Sequence, residues 1–224
     1  MAGIIPDVSL IDNSDERAPL VLVLDCSGSM QGQPINMLNE GLKKLAADLK
    51  SDPITAKRGR VLVITFGKND QVDVVGDWQD AMDFEAPELE ANGRTPTGAA
   101  VHAALAAIEG QKEELRAAGV SYKRPIMMLM SDGEPTDEWE AAAAECRAAE
   151  AEHKVTVMTV AIGEAANKAV LDQFSSKGAV RIDGLKFSEL FVWLSRSVRA
   201  VSKAVKGEAA QLPAIDSWAS VGTN

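Results

Sequence analysis

Cysteine and histidine are scarce in this chain, two of each among 224 residues. Cys26 and Cys146 stand in no CxxC pair and no Cys/His cluster, which argues against a zinc site built on those ligands. Both are expected to be reduced, buried thiols, since a free cysteine behaves as a small hydrophobe. His102 and His153 fall on separate predicted helices and read as surface or packing residues. Basic residues are in deficit as well: 23 Lys and Arg against 33 Asp and Glu leave a net charge of −10 and a pI near 4.8. General nucleic-acid affinity through phosphate neutralisation is therefore not expected. No stretch approaches the roughly 18 uninterrupted apolar residues of a membrane helix. The opening MAGIIPDVSLIDNSDERAPL has neither a basic n-region nor a long apolar run. Neither a membrane partner nor a secretory signal is expected, and the expected location is cytoplasmic.

Several catalytic signatures are missing too. No GK[ST] follows the first apolar strand, so a P-loop is excluded, and Gly28 and Gly32 are spaced wrongly for a dinucleotide G-x-G-x-x-G. There is no G-x-S-x-G elbow, and neither histidine falls in a late strand-end loop, so a Ser/His/Asp hydrolase finds no support. No nucleophile with a credible base is visible, and the expectation is that the chain is not an enzyme.

What is present is an ordinary globular balance, 46% hydrophobic and 25% charged, with enough apolar material for a core. Apolar strands alternate with helical periodicity. PLVLVL (19–24) reads as a buried strand, followed by a helix from Pro34 with Ile35, Leu38, Leu42, Leu45 and Leu49 on one face. RVLVITF (60–66) and VDVVGDW (72–78), split by the turn-forming GKND, read as a hairpin. The acidic loop from Asp77 to Glu90 reads as a solvated connection. It leads to a helix carrying Val101, Leu105 and Ile108.

RPIMMLMSDG (124–133) is the fourth strand. The alanine-rich segment after it (136–153) reads as a helix with Trp139, Ala143 and Cys146 inward and Thr136 or Asp137 as its cap. VTVMTVAIG (155–163), a short helix near 165–174, and AVRID (179–183) follow. The last helix, from Lys186 to about Val205, carries the stripe Leu190, Leu194, Val198, Val201 and Val205. Opposite that stripe, Arg196, Arg199, Lys203 and Lys206 read as a solvated face. Continuously apolar strands in βα repetition predict a doubly wound α/β fold, a mostly parallel sheet of about six strands with one antiparallel edge and helices on both faces. The expected organisation is an extension over 1–17, one domain over 18–206, and a tail over 207–224 in which Leu212 and Trp218 could dock on the body.

The polar residues gather at strand ends. Asp25, Ser27 and Ser29 follow the first strand, Ser131, Asp132 and Glu134 follow the fourth, and Thr95 and Thr97 sit in NGRTPTG. In an open α/β sheet such ends form the ligand crevice. Taken alone, D-x-S-x-S at 25–29 is also an ordinary strand-to-helix turn. If the first and fourth strands are neighbours, two carboxylates converge, and at about 4 Å they repel by roughly 4 kcal/mol at an effective dielectric near 20. Either one takes up a proton or a cation sits between them. An all-oxygen donor set rich in hydroxyls points to a hard divalent ion, Mg2+ before Ca2+ or Mn2+.

D-x-S-x-S at 25–29, T-P at 95–96 and S-D-G at 131–133 resemble the metal-ion-dependent adhesion site of von Willebrand factor A domains, in order and spacing across residues 18 to 206. The resemblance implies direct ligation by the hydroxyls of Ser27 and Ser29, ligation by Thr95 directly or through water, and Asp25 and Asp132 acting mainly through water. It also implies a protein ligand whose carboxylate completes the coordination. The segment LKFSELFVW followed by LSRSVRAVSKA is similar to the bacterial TerY-like branch. That implies a tellurium-resistance or stress-response setting beside a Ser/Thr kinase and a PP2C-type phosphatase. The chain departs from the family's G-G-T at Gly93-Arg94-Thr95, and Cys26 and Thr97 are further departures. Thr97 adds a candidate extra hydroxyl. The enzymatic rival is a haloacid-dehalogenase-like phosphatase, but its D-x-D acid is replaced here by Ser27, too weak a general acid at neutral pH. A kinase-regulated adaptor, phosphorylated on a loop or tail hydroxyl, is the third reading.

Overall fold

The computed structural model describes residues 13–182, 184–204, 213–214 and 219–220. Its elements in chain order are β1 (Ala18–Asp25), α1 (Gln33–Ser51), α2 (Pro53–Arg58), β2 (Gly59–Phe66), β3 (Val72–Asp80), α3 (Thr97–Ala117) and β4 (Ile126–Ser131). They continue with α4 (Glu140–Ala151), β5 (Thr156–Ile162), α5 (Lys168–Leu171), β6 (Ala179–Ile182), α6 (Phe187–Lys203) and β7 (Ala219–Ser220).

Every residue of β1 is buried, which fits a strand enclosed on both faces of a parallel sheet. Side chains alternate across the pleat. Leu20, Leu22 and Leu24 join the core formed with α1 and α6, whereas Val21 and Val23 join the core under α3 and α4. The result is three layers, helices on both faces of the predicted sheet. The strand order is β3-β2-β1-β4-β5-β6-β7. β1 pairs in parallel with both β2 and β4, while β3 runs antiparallel to β2 at one edge. At the other edge, the two-residue β7 adds antiparallel to β6. Because the chain order reverses between β1 and β4, the crevice of an open sheet lies at their carboxyl ends.

Several local expectations need correction. The helix α2 was not legible. Its Asp52 caps it, accepting from Thr55 N–H, and receives Lys203 Nζ from α6 at 2.8 Å. Arg199 Nε also approaches Asp52 at 3.5 Å, so two residues of the solvent-exposed basic face also tie α6 to α2. Pro34 occupies the second position of α1, not the first. The acidic loop is more than a solvated connection. Phe84 and Leu89 are buried in the core, and Leu89 exchanges hydrogen bonds with the Asn39 side chain in both directions at 2.9 Å.

Cys26 and Cys146 are buried and unpaired, and burial pushes both thiols up to about 12. His102 is exposed, with its Nδ1 2.8 Å from Glu145 Oε2, and His153 is also exposed. Val205, Lys206, Leu212 and Trp218 lie outside the described residues. Among the described residues, no helix is long and apolar enough to cross a membrane.

Candidate metal centre

The register Leu24↔Met130 places Asp25 and Ser131 side by side at the ends of β1 and β4. The Ser131 hydroxyl donates to Asp25 Oδ2 at 2.5 Å, and the Ser27 N–H donates to Asp25 Oδ1 at 2.8 Å. Asp25 is fully buried. Its partners are neutral, and no basic side chain among the described residues pairs with it. Burial pushes its carboxyl up to about 6, against the lowering effect of the serine hydrogen bonds, and the Asp132 charge adds to the rise. A buried ionised carboxylate without a counter-ion is costly, so the ionised form of Asp25 favours a cation beside it.

The other donors line up beside it. Beyond Asp25 the chain makes a single 3-10 turn over Gly28–Met30, which leaves Ser29 exposed at the rim. The Ser27 and Ser29 hydroxyl oxygens are 3.0 Å apart, and Ser29 Oγ donates to Asp132 Oδ1 at 2.6 Å. Asp132 is half-buried and its carboxyl is also raised, chiefly by burial. Thr95 is buried. A Cβ built on Gly133 would stand 3.6 Å from Thr95 Oγ1 and 3.8 Å from Ser29 Oγ, so the two hydroxyls flank one small space. All five residues expected at the site therefore come to one rim: Asp25, Ser27, Ser29, Thr95 and Asp132.

This donor set fits a hard divalent ion. Among the described residues no three His, Cys, Asp or Glu side chains gather as a metal group, so the ion would rest on two carboxylates and neutral hydroxyls. An octahedral ion with bonds of about 2.0–2.1 Å spaces neighbouring oxygens roughly 2.9 Å apart. The 3.0 Å between the Ser27 and Ser29 hydroxyls, the two direct ligands expected, is close to that spacing. A hydrogen bond holds these two oxygens at about the separation such an ion needs.

The loops are braced against one another. Gly28 N–H donates to Gly93 O at 2.9 Å, and Asn92 N–H to Cys26 O at 2.9 Å. Two close approaches require glycine: a Cβ on Gly93 (φ +80°) would fall 2.1 Å from Gly67 O, and one on Gly67 (φ +115°) 2.4 Å from Ser27 N. The Thr95 loop is tied to the loop after β4 by a reciprocal pair. Thr95 N–H donates to Thr136 Oγ1 at 3.0 Å, and Thr136 N–H to Thr95 O at 2.9 Å.

Asp137 does not cap its own helix, and neither does Thr136, since α4 begins only at Glu140. Asp137 instead accepts from Gly98 N–H at 3.1 Å and Ala99 N–H at 2.8 Å, capping α3 from across the crevice. Glu134 is held by Asn167 Nδ2. The extra hydroxyl of Thr97 is directed to the Thr95 carbonyl at 3.5 Å, not into the cage. Sequence reasoning missed the bracing roles of Ser131, Asp137 and Asp70, whose Oδ1 accepts from Arg94 N–H at 2.7 Å. The S-D-G and GKND strings pointed to their loops but not to their partners.

The model of the von Willebrand factor type A domain family matches residues 20–183. No curated protein matches the sequence significantly. Among solved structures, the chain is similar to the pilus adhesin SpaC from Lactobacillus rhamnosus GG in its open conformation, at 14% identity and a TM-score of 0.65. That match covers 83% of this chain and 31% of the adhesin. The proximal thread matrix protein 1 from the mussel byssus, with a zinc-occupied metal-ion-dependent adhesion site, matches at 18% identity and a TM-score of 0.55. It covers 84% of this chain and 49% of the mussel protein. The manganese-loaded TRAP protein of Plasmodium vivax matches at 15% identity and a TM-score of 0.56, over 80% and 73% of the two chains. This chain thus spans about half of the mussel protein and a third of the adhesin. At these identities the likeness is one of fold.

Proposed function

The chain belongs to the von Willebrand factor type A domain family, and from that premise we propose that it is a protein-interaction module, not an enzyme, whose capture of a partner depends on a divalent cation. Domains of this family generally serve adhesion and interaction. The observation that carries the reading is the buried Asp25 carboxylate with only neutral partners, set beside a row of Ser27, Ser29 and Asp132 oxygens that reaches the surface at Ser29.

Mg2+ is the proposed ion, with Mn2+ or Ca2+ as substitutes. The hydroxyls of Ser27 and Ser29 would hold it directly, Thr95 directly or through water, and Asp25 and Asp132 chiefly through water. When bound, the ion supplies an electrophilic position that accepts a carboxylate from a protein ligand. The residues of this chain do the rest. Ser131 and the Ser27 N–H orient Asp25, and the Thr136 pair holds Thr95 at the rim. Asp25 and Asp132 contribute only two formal charges, so the ion is not over-neutralised and keeps its attraction for a third acid group.

The setting proposed is cytoplasmic and bacterial, in the TerY-like branch of stress-response and tellurium-resistance systems beside a Ser/Thr kinase and a PP2C-type phosphatase. What supports it is the similarity of LKFSELFVW and LSRSVRAVSKA, the segment that forms α6. The test is pull-down from native lysate with Mg2+ and with chelator. Capture lost on chelation, and lost with Asp25→Ala in a protein that still folds, is expected. Capture that ignores both would reject the reading.

A further inference from the structure

Arg94 is placed unlike the other cations of the rim. The main chain around it is pinned: its N–H donates to Asp70 Oδ1 at 2.7 Å, Gly93 O accepts from Gly28 N–H, and Thr95 N–H donates to Thr136 Oγ1. It stands one Cα step, about 3.8 Å, from the residue whose hydroxyl flanks the cage. The Arg94 side chain is exposed, yet it makes no hydrogen bond or ion pair with any described residue. By contrast, Lys68 Nζ pairs with Glu90 Oε2 at 2.6 Å, and the Arg181 guanidinium is held by the carbonyls of Gly163 and Ala166. An arginine whose main chain is held next to a cation site adds positive charge where the cation must bind, and a chain of net charge −10 has carboxylates in excess that could have neutralised it. Among the described residues none does.

We infer that Arg94 is a second anchor for the partner. The partner is an acidic protein segment in which one carboxylate faces the metal and a neighbouring Asp or Glu pairs with the Arg94 guanidinium. This rests on the interaction reading above and narrows it, from a partner with one acid group to a partner with two acid groups close together. Arginine suits the role because its planar fork grips a carboxylate through two parallel N–H···O bonds, which an ammonium cannot do. A rim charge of this kind also steers encounter, so its effect is salt-dependent.

The experiment is a positional peptide array with a fixed central Asp and varied flanking residues, probed in Mg2+ with wild-type protein, Arg94→Gln and Arg94→Glu. Mn2+ affinity of each protein is measured alongside by electron paramagnetic resonance. The wild type is expected to require the central Asp and Mg2+ and to favour Asp or Glu at a flanking position by about three- to tenfold. Arg94→Gln should abolish that flanking preference and Arg94→Glu should invert it towards Lys or Arg. Both variants should bind Mn2+ at least as tightly as the wild type, because a neighbouring cation has gone. An unchanged flanking preference in the variants, or none in a wild type that still captures central-Asp peptides in Mg2+, overturns the inference and leaves the metal reading standing. No chelator-sensitive capture by the wild type overturns both.

Discussion

The Ser29 hydroxyl donates to Asp132 Oδ1 at 2.6 Å, so one side-chain contact joins loops 103 residues apart. The contact is at the rim, where Ser29 is exposed, and its loss should matter more to a bound ion than to the fold. Ser29→Ala is expected to weaken Mn2+ binding at least tenfold, read by titration. Metal-free stability, read by urea denaturation, should change by less than about 1 kcal/mol, the usual net worth of a solvent-accessible hydrogen bond.

Asp25→Asn separates charge from shape. The amide oxygen can still accept from Ser27 N–H, and the amide nitrogen can donate to Ser131 Oγ, which rotates to suit. The variant removes a buried charge that has only neutral partners. Its metal-free melting temperature should equal or exceed that of the wild type. The rise in melting temperature that saturating Mg2+ gives the wild type through binding to the folded state should be absent. A variant that melts lower without metal would contradict the account of Asp25 as an uncompensated charge.

Asp137 caps α3 from a different loop, so its removal should act on two levels. Asp137→Ala is expected to cost about 0.5–2 kcal/mol, the usual cost of losing a helix cap. Amides of Gly98 and Ala99 should exchange faster, and Mn2+ affinity should fall because the Thr95 loop is less firmly held. Hydrogen exchange followed by mass spectrometry reads the first effect directly.

The main lines of the fold were legible because period-two and period-3.6 patterns are strong in this chain. PLVLVL and RVLVITF could hardly be anything but enclosed strands, and four of the five expected site residues, Asp25, Ser27, Ser29 and Asp132, sit where a strand gives way to a loop, with Thr95 just ahead of α3. What stayed hidden depends on long-range partners. The short helix α2 has too few residues for a periodic signal. Asp137 looks like a local cap until the crevice brings α3 to it, and Ser131 looks like part of an S-D-G turn until β4 is placed beside β1. Phe84 and Leu89 were lost inside an acidic loop because isolated apolar residues show no period.

Asp52 supplies a pH signature remote from the metal centre. The Lys203 ammonium and the Thr55 donors hold its carboxyl well below the ordinary 3.8. A depressed folded-state value means the contribution is present above the unfolded value and is lost as pH falls through it towards the folded one. Asp52→Ala should therefore be less stable than the wild type at pH 7, by about 0.5–2 kcal/mol as for a lost cap. The gap should narrow below about pH 4. Denaturant melts of both proteins across pH 2 to 7 check the sign.

The central claim is that one divalent cation is gathered by Ser27, Ser29, Thr95, Asp25 and Asp132. It is tested most directly by a crystal grown with Mn2+ and measured at an energy where manganese scatters anomalously. The account predicts one strong anomalous peak within bonding distance of the Ser27 and Ser29 hydroxyls, with Asp25, Asp132 and Thr95 around it. A peak elsewhere, or none at this rim with Mn2+ in excess, would contradict it.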